Sequence, residues 1–248
     1  LPLSESLLPQ LTVLQSVDST NLELARMHKV AQLSNLTAVT AFEQTAGQGR
    51  LGRTWVSEPG TSISLSLLIQ SQHKSHLGWA TLIAACAVRA AIKEVGRGLT
   101  PLIKWPNDVL IGRKKTSGIL LEAERVAEGR MALAIGIGIN IAHRPDLTLY
   151  PVTSLADQGV SISPPEFFAR LFAEMADVLD VWDEGRGIAE IVRRWRGVAC
   201  GIGEKITVNL PDRSISGIFS GIDDKGILLL DRGPDGMMSV AAGDVFFG

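Results

Sequence analysis

Apolar and polar positions alternate with a period of two in several short stretches of the first 140 residues, and recur at helical spacing between them. Ser62, Ser64 and Ser66 interleave with Ile63, Leu65 and Leu67, which predicts a half-buried strand over 63–69. Strands are also predicted over 12–17, 37–42, 102–105, 109–111, 117–122 and 131–140. Leu22, Ala25 and Met27 mark a helix after residue 18, with Thr20 and Glu23 spaced as a capping box. The alanine-rich run 77–95 is apolar on most sides and reads as a core helix. Pro164–Pro165 signals a helix start, and Phe167, Phe168, Leu171, Phe172, Met175, Val178, Leu179 and Trp182 recur at helical spacing toward Gly185 as a core stripe. A further helix is predicted over 188–196, with Arg193, Arg194 and Arg196 as its solvated face.

The period changes again after Gly203. Strands are expected over 205–210, 214–221, 226–230 and 237–241, with turn signals at 211–212, 223–226 and 234–236. Short strands packed this densely predict a small β-barrel, and the boundary falls near 198–203, dividing the chain into 1–200 and 201–248. Upstream, turns at 106–108, 112–114 and 127–129 join consecutive strands. That arrangement predicts an α+β fold: a mixed, mostly antiparallel sheet with helices on one face, without the steady β–α alternation of a doubly wound sheet.

Composition narrows the function classes. At 248 residues and 46% hydrophobic, the chain is long enough for one large domain, or for one domain and a small one. A formal net charge of −2 argues against a dominant nucleic-acid surface. Too few residues precede position 18 for an N-terminal helix-turn-helix, so no DNA partner is expected. Cys86 and Cys200 make neither a disulfide framework nor a zinc site, and Cys86 lies in an apolar helical run as a packed thiol. His73 and His76 read as surface histidines, and no metal-ligand pattern is present. No apolar run approaches the roughly 20 residues of a membrane span, and the start has no basic signal-peptide region. A cytoplasmic protein without a membrane partner is expected.

Candidate chemistry concentrates in four stretches. Residues 43–55 carry Gly47, Gly49, Gly52, Arg50 and Arg53 between two strands. Exposed amides and two guanidiniums suit a polyanion, although an ordinary basic surface loop reads the same way. It is not a Walker loop, because the lysine followed by Ser or Thr is missing. The others are Asp18–Ser19–Thr20–Asn21, the run from Lys104–Trp105–Pro106–Asn107–Asp108 to Lys115 and Gly118, and Gly136–Ile137–Gly138–Ile139–Asn140.

The Gln-Thr-Ala-Gly-x-Gly-Arg-x-Gly-Arg-x-Trp loop from Gln44 to Trp55, followed by Lys-Trp-Pro-Asn-Asp, resembles the biotin–protein ligases, and the flanking stretches match from residue 18 to 140. The β-rich tail resembles the SH3-like C-terminal domain of that family. The resemblance implies a class II synthetase-like catalytic domain that activates biotin with ATP to biotinyl-5'-AMP. Biotin then passes to a lysine of a biotin carboxyl carrier protein domain. Magnesium is implied as the counter-ion of ATP, and a homodimer is left open. Implied biotin contacts are Ser19, Thr20, Asn21, Gln44, Gln48, Gly49, Arg50, Lys115, Gly118, Gly136 and Gly138. Implied nucleotide contacts are Arg50, Arg53, Trp55, Asn107, Lys115 and Asn140. Arg50 and Lys115 would be the catalytic cations, with the spacing back from Gly118 favouring Lys115 over Lys114. Asp108 would orient or deprotonate the incoming lysine, or simply cap a turn.

One position departs from the pattern: Gln48 stands where the family's loop commonly has arginine. Two other functions fit parts of the sequence. A lipoate–protein ligase performs the same two-step chemistry, and a non-catalytic biotin-binding regulator would keep the pocket alone.

Overall fold

The period-two alternation sorts the central strands into two unlike faces. The computed structural model describes residues 10–71, 76–125, 131–146 and 150–247. Its main sheet contains β1 (Leu11–Val17), β2 (Ala38–Gln44), β3 (Ser62–Ser71), β4 (Leu102–Lys104), β5 (Asp108–Ile111), β6 (Lys114–Arg125) and β7 (Met131–Asn140). Their order is β1-β2-β3-β7-β6-β5-β4, with β1 parallel to β2 and the other neighbours antiparallel. The expected α+β class, with a mostly antiparallel mixed sheet, is the observed one.

Ile63, Leu65, Leu67 and Ile69 of β3 and Ile135, Ile137 and Ile139 of β7 share one buried core with residues of α2 (His76–Val95), α3 (Pro164–Trp182) and α4 (Ile188–Arg196). Alanines at 80, 84, 87 and 91 are almost wholly buried, which lets α2 lie close against its neighbours. A capping box starts α3: Ser163 accepts from the Glu166 backbone, and the Glu166 carboxylate accepts from the Ser163 backbone.

The opposite face is covered too. Helix α1 (Thr20–Ala31) packs Leu24 against Val39, Leu68, Ala132 and Ala134 in a second core. The helices therefore lie on both faces, contrary to the one-sided packing expected. Ser62, Ser64 and Ser66 are 9%, 4% and 0% exposed, so the serine side of β3 faces the interior and not solvent. The Thr20–Glu23 capping box does not form. Ser19 occupies the cap position, the Thr20 hydroxyl donates to Gln44, and Glu23 pairs with Arg26. His73 and the turn expected at 127–129 lie outside the described residues.

Beyond the main sheet, β8 (Lys205–Asn209), β9 (Ser214–Ile222), β10 (Leu228–Asp231), β11 (Met237–Val240) and β12 (Asp244–Phe247) form a second sheet. Its order is β11-β10-β9-β8-β12, antiparallel throughout. This pairing does not itself close the sheet into the expected barrel, and β12 adds a strand beyond the four expected. The connection is pinned to β4: Ile103 N–H donates to Val198 O at 2.9 Å, and Cys200 N–H to Ile103 O at 2.8 Å.

Two indoles hold the β9–β10 turn, Trp105 donating to Gly226 O and Trp79 to Asp224 O, each at 3.0 Å. Arg196 donates to Ile222 O, so it ties α4 to the second sheet instead of serving only as part of a solvated face. Arg193 and Arg194 do pair with Glu190 on the exposed side.

Candidate functional site

The glycine–serine face of the main sheet is the floor of a cavity of about 490 Å³. Two glycines of β7 are required by what lies on them. A side chain at Gly136 would come within 2.8 Å of the Asn21 amide, and one at Gly138 within 2.5 Å of the Trp55 ring. Ser66 is paired with Gly136 and Ser64 with Gly138 across the strands, and Gly118 of β6 lies beside Gly138. Two residues along a strand are about 7 Å. The floor is therefore a ruler running from Asn21 toward Trp55 and then to Asn140.

Side chains from β2, β3 and α1 build a polar end. Gln44 Oε1 accepts from the Thr20 backbone N–H at 2.8 Å and from the Thr20 hydroxyl at 3.1 Å. The buried Ser66 hydroxyl lies 2.8 Å from Thr20 Oγ1 and 2.5 Å from Asn21 Oδ1. Asn21 Nδ2 donates to Glu122 at 2.7 Å. Ser19 and Gln44 line the cavity beside them.

The loop after β2 folds back as a small hairpin over the floor. Gly49 N–H donates to Arg53 O at 2.7 Å and Trp55 N–H to Gly47 O at 2.9 Å, while Thr45 and Ala46 are tied to the end of β1. The Trp55 ring lies on Gly138, and its buried Nε1 has no hydrogen-bond partner among the described residues. Gln48 is exposed on the hairpin at the cavity edge.

Cations gather at the other end. A β-bulge in β6 leaves Thr116 unpaired: Val109 faces Ser117, whereas Leu110 faces Lys115. The extra residue turns Lys115 to the side of Gly118 and Leu120. Its backbone is clamped by Pro151 O at 2.8 Å and by Thr153 N–H at 2.9 Å. Lys115 Nζ stands 2.8 Å from Asp108 Oδ1, while Lys114 is exposed and lies off the cavity. Asp108 thus sits on β5 as the partner of a cation, not merely as a turn cap. Arg50 Nη1 reaches Asn107 Oδ1 at 3.3 Å, Gly243 O at 3.3 Å and Asp244 Oδ1 at 3.6 Å. Asn107 is fixed from behind by donating to Ile119 O at 2.7 Å. Arg53 pairs with the other oxygen of Asp244 and lies over the Tyr150 ring, 5.3 Å from its centre. Asn140 is buried and donates to Thr153 O.

All the residues implied as biotin, nucleotide or catalytic contacts line this one cavity, from Ser19, Thr20 and Asn21 to Gly118, Gly136, Gly138 and Asn140, while Asp18 and Gly47 of the same stretches do not. Three ionisable lining residues had no role from the sequence: Lys104, Tyr150 and Asp244. Lys104 belongs to the Lys-Trp-Pro-Asn-Asp turn but had no role; its ammonium lies 5.1 Å from the Tyr150 ring centre and 5.7 Å from that of Phe246. Burial pushes its pKa below the ordinary lysine value, with Asp108 opposing and Lys115 adding to the shift. Tyr150 is the only tyrosine of the chain, and burial raises its pKa. Asp244 is delivered by β12, about 190 residues after the arginines it holds, and only the fold brings them together.

Comparisons with known proteins agree with this geometry. The model of the Biotin/lipoate A/B protein ligase family matches residues 13–140, and that of the Biotin protein ligase C terminal domain matches residues 201–248. The chain is 36% identical to the biotin–[acetyl-CoA-carboxylase] ligase of Paracoccus denitrificans, over 95% of this chain and 100% of that protein. It is 32% identical to the protein of the same name from Mycobacterium tuberculosis, over 95% and 88%. Among solved structures, the biotin protein ligase from Aquifex aeolicus in complex with biotin and ATP superposes with a TM-score of 0.80 at 28% identity, covering 96% of this chain and 98% of that one.

Proposed function

This chain belongs to the Biotin/lipoate A/B protein ligase family, and from that premise we propose that it is an ATP-dependent biotin–protein ligase acting on a biotin carboxyl carrier domain. The observation that carries the reading is the polarity of the cavity. A neutral hydrogen-bonding end at Thr20 and Gln44 and a cationic end at Lys115 and Arg50 are joined by a floor of glycine. A neutral heterocycle with an acid tail fits that gradient.

A carboxylate does not acylate an amine at neutral pH, because hydroxide is a poor leaving group. In the first step a biotin carboxylate oxygen attacks the α-phosphorus of ATP. The bond to the β-phosphate oxygen breaks, and pyrophosphate departs with the electron pair. Lys115 and Arg50 offset the charge that builds on the reacting phosphate, acting from a partly dry site where fixed charges count for more. Magnesium would supply counter-charge to the triphosphate, and Asn107 would help to place it. Arg53 and Asn107 hold the phosphates, and Asn140 faces the base. Trp55 on its glycine floor shields the mixed anhydride from water.

In the second step the acceptor amine attacks the acyl carbon, the C–N bond forms, and AMP leaves. The amine proton goes to Asp108, which Lys115 releases as it turns to the phosphate. Asp108 Oδ1 receives no aligned hydrogen bond among the described residues, so the ion pair is a charge contact that a better partner displaces.

We place the domain division at 200/201, with the C-terminal unit supplying Asp244 to the arginines. Two unpaired buried thiols, Cys86 and Cys200, suit a cytoplasmic setting. The test is to incubate the protein with biotin, magnesium-ATP and a carrier domain, and to look by mass for one biotin on one lysine. Modification by lipoate in place of biotin, or biotin binding without pyrophosphate release, would overturn the reading.

A further inference from the structure

We infer that Glu122 is a positioning residue that fixes which groups of the polar end donate and which accept, and so selects a urea-type head group. The inference rests on the reading of this cavity as a biotin site.

The argument follows proton directions along one chain of contacts. A carboxylate only accepts, so the Asn21 amide must present Nδ2 to Glu122, which it does at 2.7 Å. Asn21 Oδ1 is then an acceptor facing Ser66, 2.5 Å away. Ser66 is wholly buried and has one proton, which goes to that oxygen. Ser66 therefore has none to give Thr20 Oγ1, 2.8 Å away. The Thr20 proton is drawn inward, to Ser66 or to Gln44 Oε1 at 3.1 Å. Its remaining lone pair is left to accept from the cavity.

Gln44 is oriented independently. The Thr20 backbone N–H can only donate, and it ends on Gln44 Oε1 at 2.8 Å, so Nε2 is the group left to donate. One acceptor and one donor side by side match the N–H and C=O of a cyclic urea. The selection originates at Glu122, which lies 101 residues from Asn21 in the chain. A glutamine at 122 can also donate. Asn21 can then flip, Ser66 can give its proton to Thr20, and Thr20 can donate into the cavity.

The test uses the full chain, biotin, and the two carbamate analogues of biotin in which one ureido N–H is replaced by oxygen. Biotin-dependent exchange of pyrophosphate into ATP is measured for wild type, Glu122→Gln and Ser66→Ala, with thermal melting alongside. Both variants are expected to raise the KM for biotin by about tenfold, the cost of roughly one hydrogen bond, with kcat near wild type. Wild type should disfavour one carbamate analogue strongly, and Glu122→Gln should discriminate several-fold less.

An unchanged biotin KM and unchanged discrimination in Glu122→Gln would overturn the inference. So would a fall in kcat with the melting temperature while discrimination stays intact, because that is a purely structural role. Should Glu122→Gln fail to fold, Ser66→Ala decides alone, and a wild-type KM in it overturns the inference. Absence of any biotin-dependent exchange in wild type would instead overturn the proposed function.

Discussion

Lys115 Nζ and Asp108 Oδ1 stand 2.8 Å apart on neighbouring strands, with 23% and 15% of their side chains exposed. The bulge at Thr116 makes the pair, because without it Lys115 would point with Ser117 into the helix-side core. The ammonium is held at the cavity wall yet is not locked by an aligned hydrogen bond. Lys115→Ala is expected to slow adenylate formation by about 10²–10³-fold, the usual cost of removing one preorganised charge donor. The fold should stay intact, with a modest fall in melting temperature because Asp108 loses its cation. Biotin-dependent pyrophosphate exchange at near wild-type rate would remove Lys115 from this role.

Asp108→Asn separates the two steps. Asparagine keeps the shape but neither takes a proton nor carries charge. Transfer from pre-formed biotinyl-AMP to the carrier lysine should fall by about 10²-fold or more, the range of a positioned base. Adenylation should fall much less. Single-turnover transfer at wild-type rate would leave Asp108 only the task of holding Lys115.

Asp244 ties the C-terminal sheet to the chemistry. Its side chain is 13% exposed and meets both Arg53 and Arg50. Removing one partner of a buried pair is costly, but the Arg53 and Arg50 side chains are 39% and 23% exposed and water partly replaces the carboxylate. Asp244→Ala is therefore expected to lower stability by about 1–2 kcal/mol. With the arginines released, the KM for ATP should rise more than the KM for biotin. Equal KM values for both substrates in mutant and wild type would show that β12 only packs.

The sheet and the helices were legible in the sequence, because alternation and helical spacing are local signals. Ile137 and Ile139 do alternate with Gly136 and Gly138 and fill the core, but the glycines were named as ligand contacts through the family resemblance and not from that pattern. What the serines of β3 face was not legible. Period two says that one side differs from the other, and only α1 packing on Leu68 and Ala134 makes that side interior. The capping box at Thr20 failed for a related reason: Gln44, 24 residues away, competes for the same hydroxyl. Asp244, Tyr150 and Glu122 carry no local signature. Their roles come from contacts across tens to hundreds of residues, which no window along the chain contains.

Lys104 supplies a pH test. Burial lowers its folded-state pKa from the ordinary 10.5, so the unfolded chain binds more proton between the two values. A charged Lys104 thus costs stability at neutral pH, and that cost fades as pH rises through the folded pKa toward the unfolded one. Lys104→Met removes the titration. The stability of wild type relative to Lys104→Met should therefore increase between pH 7.5 and pH 10, measured by urea denaturation. A difference that stays flat or falls with pH would show that the ammonium remains solvated among its aromatic neighbours.

Arg50 and Gln48 set how firmly the intermediate is kept. Arg50 sits between Asn107 and Asp244 and faces the same cavity as Lys115. Its contact with a phosphate would be charge-assisted, roughly twice as strong as a neutral hydrogen bond. Arg50→Gly should then release biotinyl-AMP faster, and the freed anhydride should label nearby amines without regard to the carrier domain. Gln48 lies on the same hairpin, paired across it with Thr54, and brings no charge to the cavity edge. Gln48→Arg adds a cation there and should slow release. The measurement is the dissociation rate of pre-formed biotinyl-AMP from the three proteins, expected fastest for Arg50→Gly and slowest for Gln48→Arg. A rate for Arg50→Gly equal to wild type would mean that Arg50 serves Asp244 and not the phosphate. If Gln48→Arg alone leaves the rate unchanged, the exposed side chain at 48 turns to solvent, and the uncharged residue there costs the protein nothing in holding its intermediate.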